Sequence, residues 1–364
     1  METRNPIDLL THKRFDVVIK YLYASNLSSG FFKNAYKEHL GIWNGFTEDK
    51  RKKSTFEDFD NSFISMINNN VDEPVPVNPE GHLANGAHRL AAALYRQRPI
   101  NIRSTTKKEN YPIEADYKVF LRKGLQKHIL GRTALEYAKL KPNTHVICLF
   151  PIAHTRMDEV MNIIEKHSNI FYTSSEGLTA PGQIGLIKEI YLSEGWVSEK
   201  GIRKKCQQCF RGMAQVTFVL IDAKNLETVK EMKKEIRALF KVGNHSVHIN
   251  DYHVDTVRIA KTVFNDNSIH FLNKRRDVLF PNYKKLMSGK KPDDNTIITG
   301  STVLSLYGLR DCKDVDLIYF NNPPVDSHNQ YLGNLYKLTL DAIFNNPKYH
   351  LYYNGLQYVS LDVI

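Results

Sequence analysis

The chain has 364 residues, a formal net charge of +11, 42% hydrophobic residues and 24% charged residues. That length predicts two or three domains, and the composition is globular, which excludes disordered, collagenous and disulfide-stapled classes. No run is long and apolar enough to span a bilayer, and the first residues lack the apolar stretch of a signal peptide, so a cytoplasmic protein is expected.

The positive balance favours anionic partners such as nucleotides, phosphorylated sugars or nucleic acid. The basic residues lie in short clusters at 50–53, 203–205 and 274–276. No basic tail exists, so a nucleic-acid partner ranks below small phosphates. Of the cysteines Cys148, Cys206, Cys209 and Cys312, only Cys206 and Cys209 form a CxxC. Structural zinc needs two further ligands at suitable spacing, so free thiols are expected.

In chain order, residues 1–70 read as mainly helical, with apolar positions at helical spacing in 61–67. Residues 71–79 are proline-rich and extended. Residues 75–94, VPVNPEGHLANGAHRLAAAL, turn at glycine into a strong alanine-rich helix. Gly86 leads into that helix, and His88 and Arg89 sit at its start. Free amides at a helix N-terminus, with the forked Arg89 side chain, make an anion site. His88 adds a donor or a proton relay.

The loop Asn85-Gly86-Ala87-His88-Arg89, with the helix after it, resembles the ParB/sulfiredoxin superfamily over roughly residues 55–125. The resemblance implies a nucleotide phosphate held by Asn85, Gly86, His88 and Arg89. Ala87 stands where sulfiredoxins carry cysteine, so sulfinic-acid repair is not expected. Asn85 stands where kinase-like members carry an acid. No helix-turn-helix pattern of partition proteins follows. A phosphoryl-transfer base would lie upstream, at Glu57, Asp58 or Asp60, which otherwise read as acids favoured at a helix N-terminus.

A domain boundary is expected near 139–143. Beyond it a strand at 146–150, helices at 157–167 and 184–193, an apolar strand at 216–221 and an amphipathic helix at 226–240 alternate, which predicts an α/β layer. Residues 245–255 are rich in His and Asp. Lys233, Lys234 and Arg237 share a helix face, and with His248, Asp251, His253 and Asp255 they form either a phosphate or metal pocket or a solvated polar loop. Residues 281–294 read as a linker.

Residues 297–320, IITGSTVLSLYGLRDCKDVDLIYF, carry the strongest motif. An apolar strand meets Gly300-Ser301, a short helix follows, and then Asp314 and Asp316 alternate with Val315 and Leu317. On a strand both carboxylates project from one face, where they repel unless a hard cation such as Mg²⁺ or Mn²⁺ sits between them. A small Gly-Ser pair admits a phosphate close to the backbone. The pattern resembles the DNA polymerase β-like nucleotidyltransferase superfamily over about the last quarter of the chain. The resemblance implies Asp314 and Asp316 as metal ligands, Gly300 and Ser301 at a triphosphate, and Asp362 as the third acid, close to the end of the sequence.

The sequence thus predicts a multi-domain α/β (α+β) enzyme. Residues 1–140 form a ParB/sulfiredoxin-like domain, 141–280 an α/β domain, and 290–364 a nucleotidyltransferase-like mixed sheet with helices, minimal or cut short. The expected activity is metal-assisted transfer from ATP or another nucleoside triphosphate to a sugar, amino acid or other small acceptor. Two alternatives are an ATP-dependent small-molecule kinase using the N-terminal loop, and a nucleotide-gated DNA-binding protein.

Overall fold

The computed structural model describes residues 2–45, 55–69, 73–106, 115–195, 198–276, 278, 280–291 and 293–364; the basic cluster at 50–53 lies outside them. The architecture is mixed α+β, with three small sheets among the described residues in two compact units, Met1–Lys141 and Pro142–Ile364. Among the described residues no helix is long and apolar enough to cross a membrane, and all four cysteines are buried free thiols.

The first unit contains strands β1 (Glu2–Arg4), β2 (Val75–Val77) and β3 (Ile100–Ser104), and helices α1 (Pro6–Leu9), α2 (Phe15–Ser25), α3 (Gly30–Asn44), α4 (Phe56–Asn68), α5 (Ala87–Arg96), α6 (Tyr117–Arg122) and α7 (Lys127–Leu140). Helix α2 packs against α3, α5 and α7, and Phe15, Val18, Ile19, Leu22, Tyr23, Tyr36 and Phe63 fill the core between them. The sheet order is β1-β3-β2. Strands β2 and β3 run parallel, so α5 is the crossover of a βαβ unit, and the Asn85–Gly86 loop lies where a strand delivers the chain to a helix N-terminus. Pro76 sits in β2, an edge strand, where its missing N–H breaks no ladder.

The second unit begins with β4 (Thr144–Leu149), α8 (Met157–His167), β5 (Ser168–Gly177), α9 (Ala180–Ile190), α10 (Glu199–Phe210), β6 (Gln215–Ala223), α11 (Leu226–Phe240) and β7 (Val247–Ile249). These form an antiparallel sheet in the order β5-β6-β4-β7. That is the split βαβ order of ferredoxin-like sheets, with α9 and α10 inserted between β5 and β6. The apolar run in β6 is buried throughout because β6 is a central strand and α11 packs on it.

Next come α12 (His253–Val263), α13 (Asp266–Lys274), α14 (Pro281–Met287), β8 (Thr296–Thr299), α15 (Ser301–Leu306), β9 (Asp316–Tyr319), α16 (Leu340–Asn345), β10 (His350–Tyr353) and β11 (Leu356–Val359). The stretch expected as a linker thus carries a helix, α14. The last sheet has the order β10-β11-β8-β9, with β11 parallel to β8 and the other pairs antiparallel. Its core holds Ile297, Ile318, Ile343, Phe344 and Val359.

Helix α13 packs on both α9 and β10. Three polar contacts reinforce that joint. Ser268 Oγ accepts from Tyr352 N (2.7 Å), Arg275 Nη1 donates to Tyr353 OH (2.9 Å), and Glu189 Oε2 accepts from Asn354 N (2.7 Å). Glu189 is fully buried and also takes Arg258 Nη1 at 2.9 Å. Burial pushes its carboxyl above the usual range against the pull of Arg258.

Candidate functional site

The C-terminal motif is assembled by backbone geometry. Strand β8 ends at Thr299, and Gly300 turns the chain into α15 with φ +62° and ψ −145°. That conformation is essentially restricted to glycine. Antiparallel pairing sets Asp316 opposite Thr299, and the Asp316 side chain then lies over Gly300. A Cβ built on Gly300 would sit 2.1 Å from Asp316 Oδ2 and 3.0 Å from its Cγ. The two halves of the motif therefore touch, and the glycine is the space in which the carboxylate rests.

Side chains fix that carboxylate. His328 Nε2 is 2.9 Å from Asp316 Oδ1. His328 Nδ1 lies 3.1 Å from Tyr336 OH, which lies 2.9 Å from Thr299 Oγ1. The turn bearing His328 is pinned to β9 by Asn329, which accepts from Tyr319 N at 2.8 Å and donates to Tyr319 O at 2.7 Å. Burial raises the Tyr336 hydroxyl above its usual range, so it stays protonated.

Asp314 departs from the expected placement. Strand β9 starts at Asp316, and Asp314 stands exposed in the bend before it. The partner strand β8 ends at Thr299, opposite Asp316, so the ladder stops short of Asp314. Thr302 Oγ1 donates to the Asp314 carbonyl at 3.0 Å, tying it to the first turn of α15. Ser301 opens α15. Asp362 follows β11 in a short terminal turn and is exposed. Its charge, after burial, helps raise the Tyr307 phenol, which puts it near the end of α15. Among the described residues no group of three or more His, Cys, Asp or Glu side chains converges at metal-binding spacing. Asp316 offers a hard oxygen donor beside the Gly300 turn, and Mg²⁺ is commonly held by one or two carboxylates plus water and substrate phosphates.

The N-terminal loop lies in the other unit. Gly86 is the N-cap of α5 with φ +95°, and no side chain caps the helix. A Cβ on Gly86 would sit 2.7 Å from Val75 Cγ1, so glycine is required there too. Asn85 Oδ1 accepts from Gly86 N at 2.6 Å. His88 Nε2 is 2.9 Å from Tyr36 OH, and its ring packs against Phe59 and Phe63. Arg89 Nη1 donates to Pro74 O (3.0 Å) and pairs with Glu73 (3.1 Å), clamping the lead-in to β2. All four residues line a cavity of 280 Å³, together with Arg14, Asp16, Lys20, Trp43 and Phe59.

Sequence reasoning missed the charges under this cavity. Asp16 Oδ1 and Oδ2 accept from Arg14 Nε (2.9 Å) and Nη2 (3.0 Å), and Lys20 Nζ stands 3.1 Å from Oδ2. Lys20 also meets His39 Nε2 at 3.4 Å. All four residues are buried. Burial pushes the Asp16 carboxyl up, but Arg14 and Lys20 outweigh it and hold it far below the usual range. Asp16 is a fixed anion that orders two cations, and so a weak base. None of Glu57, Asp58 and Asp60 lines the cavity. Asp58 closes a capping box with Thr55, and Asp60 accepts from Tyr23 OH at 2.6 Å and pairs with Lys33 at 3.1 Å. The available signal was an i, i+4 Asp16–Lys20 pair on the apolar face of α2, where an unpaired charge is costly.

No protein-family model matches the chain, and no curated protein matches it either.

Proposed function

We propose that the chain is a nucleoside-triphosphate-dependent transferase whose chemistry lies at the Gly300–Asp316 junction. The observation that carries this reading is the Asp316 carboxylate seated directly on Gly300, at the strand-to-helix turn. Helix α15 is short, so the turn backbone, Ser301 and the flanking Asp314 and Asp316 carry the argument. In nucleotidyl transfer an acceptor oxygen forms a bond to the α-phosphorus, the bond to the bridging oxygen breaks, and pyrophosphate leaves with that electron pair. A divalent cation, when bound by Asp314 and Asp316, supplies charge neutralisation. The chain's own part is to seat the Asp316 carboxylate on Gly300 and to hold it in register through His328. The test is Mg²⁺-dependent pyrophosphate release from ATP, CTP, GTP and UTP with sugar or amino-acid acceptors. Asp316→Asn should abolish release while leaving the melting temperature within a few degrees; full activity in that variant overturns the reading.

A second reading places an ATP-dependent kinase at the N-terminal loop. It is favoured by the 280 Å³ cavity, which gathers Arg14, Lys20, Arg89 and the uncapped start of α5 beside Trp43 and Phe59. Arg89→Ala would then remove activity that survives Asp316→Asn.

A further inference from the structure

The His- and Asp-rich stretch 245–255 lines a cavity of 760 Å³ within the second unit, with walls from α9, α10, α11 and β7 and from the start of α12. It shares no residue with the Gly300–Asp316 junction. The helical spacing of Lys233 and Arg237 turns both toward β7, on which α11 packs, and α10 contributes Lys204 and Lys205. Lys234 and His253 of the expected set do not line it.

Two features point to a ligand. The first is charge. Two of the three acids on the wall already have partners: Asp251 pairs with Lys233 at 2.9 Å, and Asp255 pairs with Arg258 at 2.8 Å; the third, Glu194, is exposed. Among the described residues, no carboxylate ion pair is formed by Lys204, Lys205 or Arg237. Lys205 donates to Asn244 O at 2.9 Å and lies over the Tyr191 ring at 5.5 Å. Burial pulls its ammonium pKa down, and the Arg237 charge adds to that. The second feature is unmet bonding. Among the described residues, Arg237 Nε and His248 Nε2 are both buried and have no hydrogen-bond partner, an arrangement that costs free energy. Burial, with Lys233 and Lys205 beside it, pushes the His248 ring down to about 3, so it is neutral at pH 7 and offers a hydrogen bond without charge.

The ligand class follows from size and lining. A phosphate alone leaves most of this volume empty, and the volume is within the range of small-molecule sites, roughly 300–1,000 Å³. The remaining wall is polar, with Gln208, Asn244 and the carboxylates, which suits hydroxyl groups better than a flat base. Tyr252 is 69% exposed and stands at the rim as a ring for a sugar to rest on. We propose that this cavity binds a phosphorylated sugar, its phosphate dianion seated among Lys204, Lys205 and Arg237 with His248 as a neutral donor. This goes beyond the transferase reading and does not depend on it.

The test is isothermal calorimetry on the full chain with inorganic phosphate, glucose 1-phosphate, AMP and glucose. Glucose 1-phosphate should bind at least tenfold tighter than phosphate and AMP, and glucose should not bind. Lys205→Met and Arg237→Gln should each weaken glucose 1-phosphate at least tenfold, and Asp316→Asn should leave it unchanged. The ¹⁵N shift of His248 Nε2 in the unaltered chain should move on titration, which keeps the test valid if a variant fails to fold. Overturning results are no binding of glucose 1-phosphate, binding no tighter than phosphate or AMP, equal affinity in both cavity variants, loss in Asp316→Asn, or an unmoved His248 resonance.

Discussion

Replacing Gly300 with alanine isolates what joins the two halves of the C-terminal motif. The new Cβ meets Asp316 Oδ2 at 2.1 Å and Cγ at 3.0 Å, so the carboxylate must rotate off its seat and away from His328. A non-glycine residue at φ +62° and ψ −145° costs about 1–3 kcal/mol in backbone strain. Displacing an exposed-edge carboxylate and its hydrogen bond to His328 adds about 1 kcal/mol. The sum, about 2–4 kcal/mol, corresponds to roughly 4–16 °C of melting temperature for a unit of this size. In an Asp316→Ala background the carboxylate is gone, and only the backbone strain remains. The double-mutant cycle should therefore show a coupling of about 1 kcal/mol. Urea unfolding of the four proteins measures it directly. Additive effects within about 0.3 kcal/mol would refute the claim that the carboxylate occupies the glycine's missing side-chain space.

Asp16→Asn leaves Arg14 and Lys20 buried with reduced compensation, and the expected loss is about 3–5 kcal/mol of unfolding free energy; a chevron or urea midpoint unchanged from the parent contradicts that account. Because the Asp16 carboxyl is depressed in the fold, its contribution is fully present above the unfolded value near 4 and disappears as pH falls below it through the folded value. His248 acts over a higher window. Its folded value, about 3, lies below the unfolded value near 6.5, so the unfolded chain takes up the proton first and stability drops as pH falls from about 6.5 towards 3. At pH 5 this amounts to about 1–2 kcal/mol, and His248→Gln should flatten that part of the pH–stability curve. Gly86→Ala drives a Cβ to 2.7 Å from Val75 at φ +95° and should cost about 1–3 kcal/mol, read as a shift in thermal unfolding.

Local elements were legible because their signals are local. The apolar spacing of α8 and α11 and the uninterrupted apolar run of β6 define those segments without any tertiary information. Gly86 and Gly300 were legible too, since both stand where a strand hands over to a helix and both carry a positive φ. What escaped the sequence depended on the chain returning from far away. The period-two argument put Asp314 on the strand, but β8 ends at Thr299 opposite Asp316, so the ladder starts two residues later and the Thr302 hydroxyl takes the Asp314 carbonyl. Nothing near Asp316 in sequence marks His328, which reaches it by a turn that Asn329 fastens to β9. The alternation of strands and helices predicted a layered α/β region, yet hid the antiparallel 2-3-1-4 sheet order, because local pattern does not specify which strands become neighbours. The buried Arg14–Asp16–Lys20 group was the least visible, since each charge taken alone reads as surface.

Glu189 serves two masters at once, the guanidinium of α12 and the backbone amide just past β10. A fragment beginning after Arg275 would strip that amide of its acceptor, bare the face of β10, and cut the bonds from Ser268 and Arg275 to the same strand. The small sheet carrying Asp316 is therefore not a portable cassette. Its hairpin is finished by side chains encoded about 165 residues earlier, so gene truncation or domain shuffling at the apparent linker would sever the motif from the scaffold that completes it.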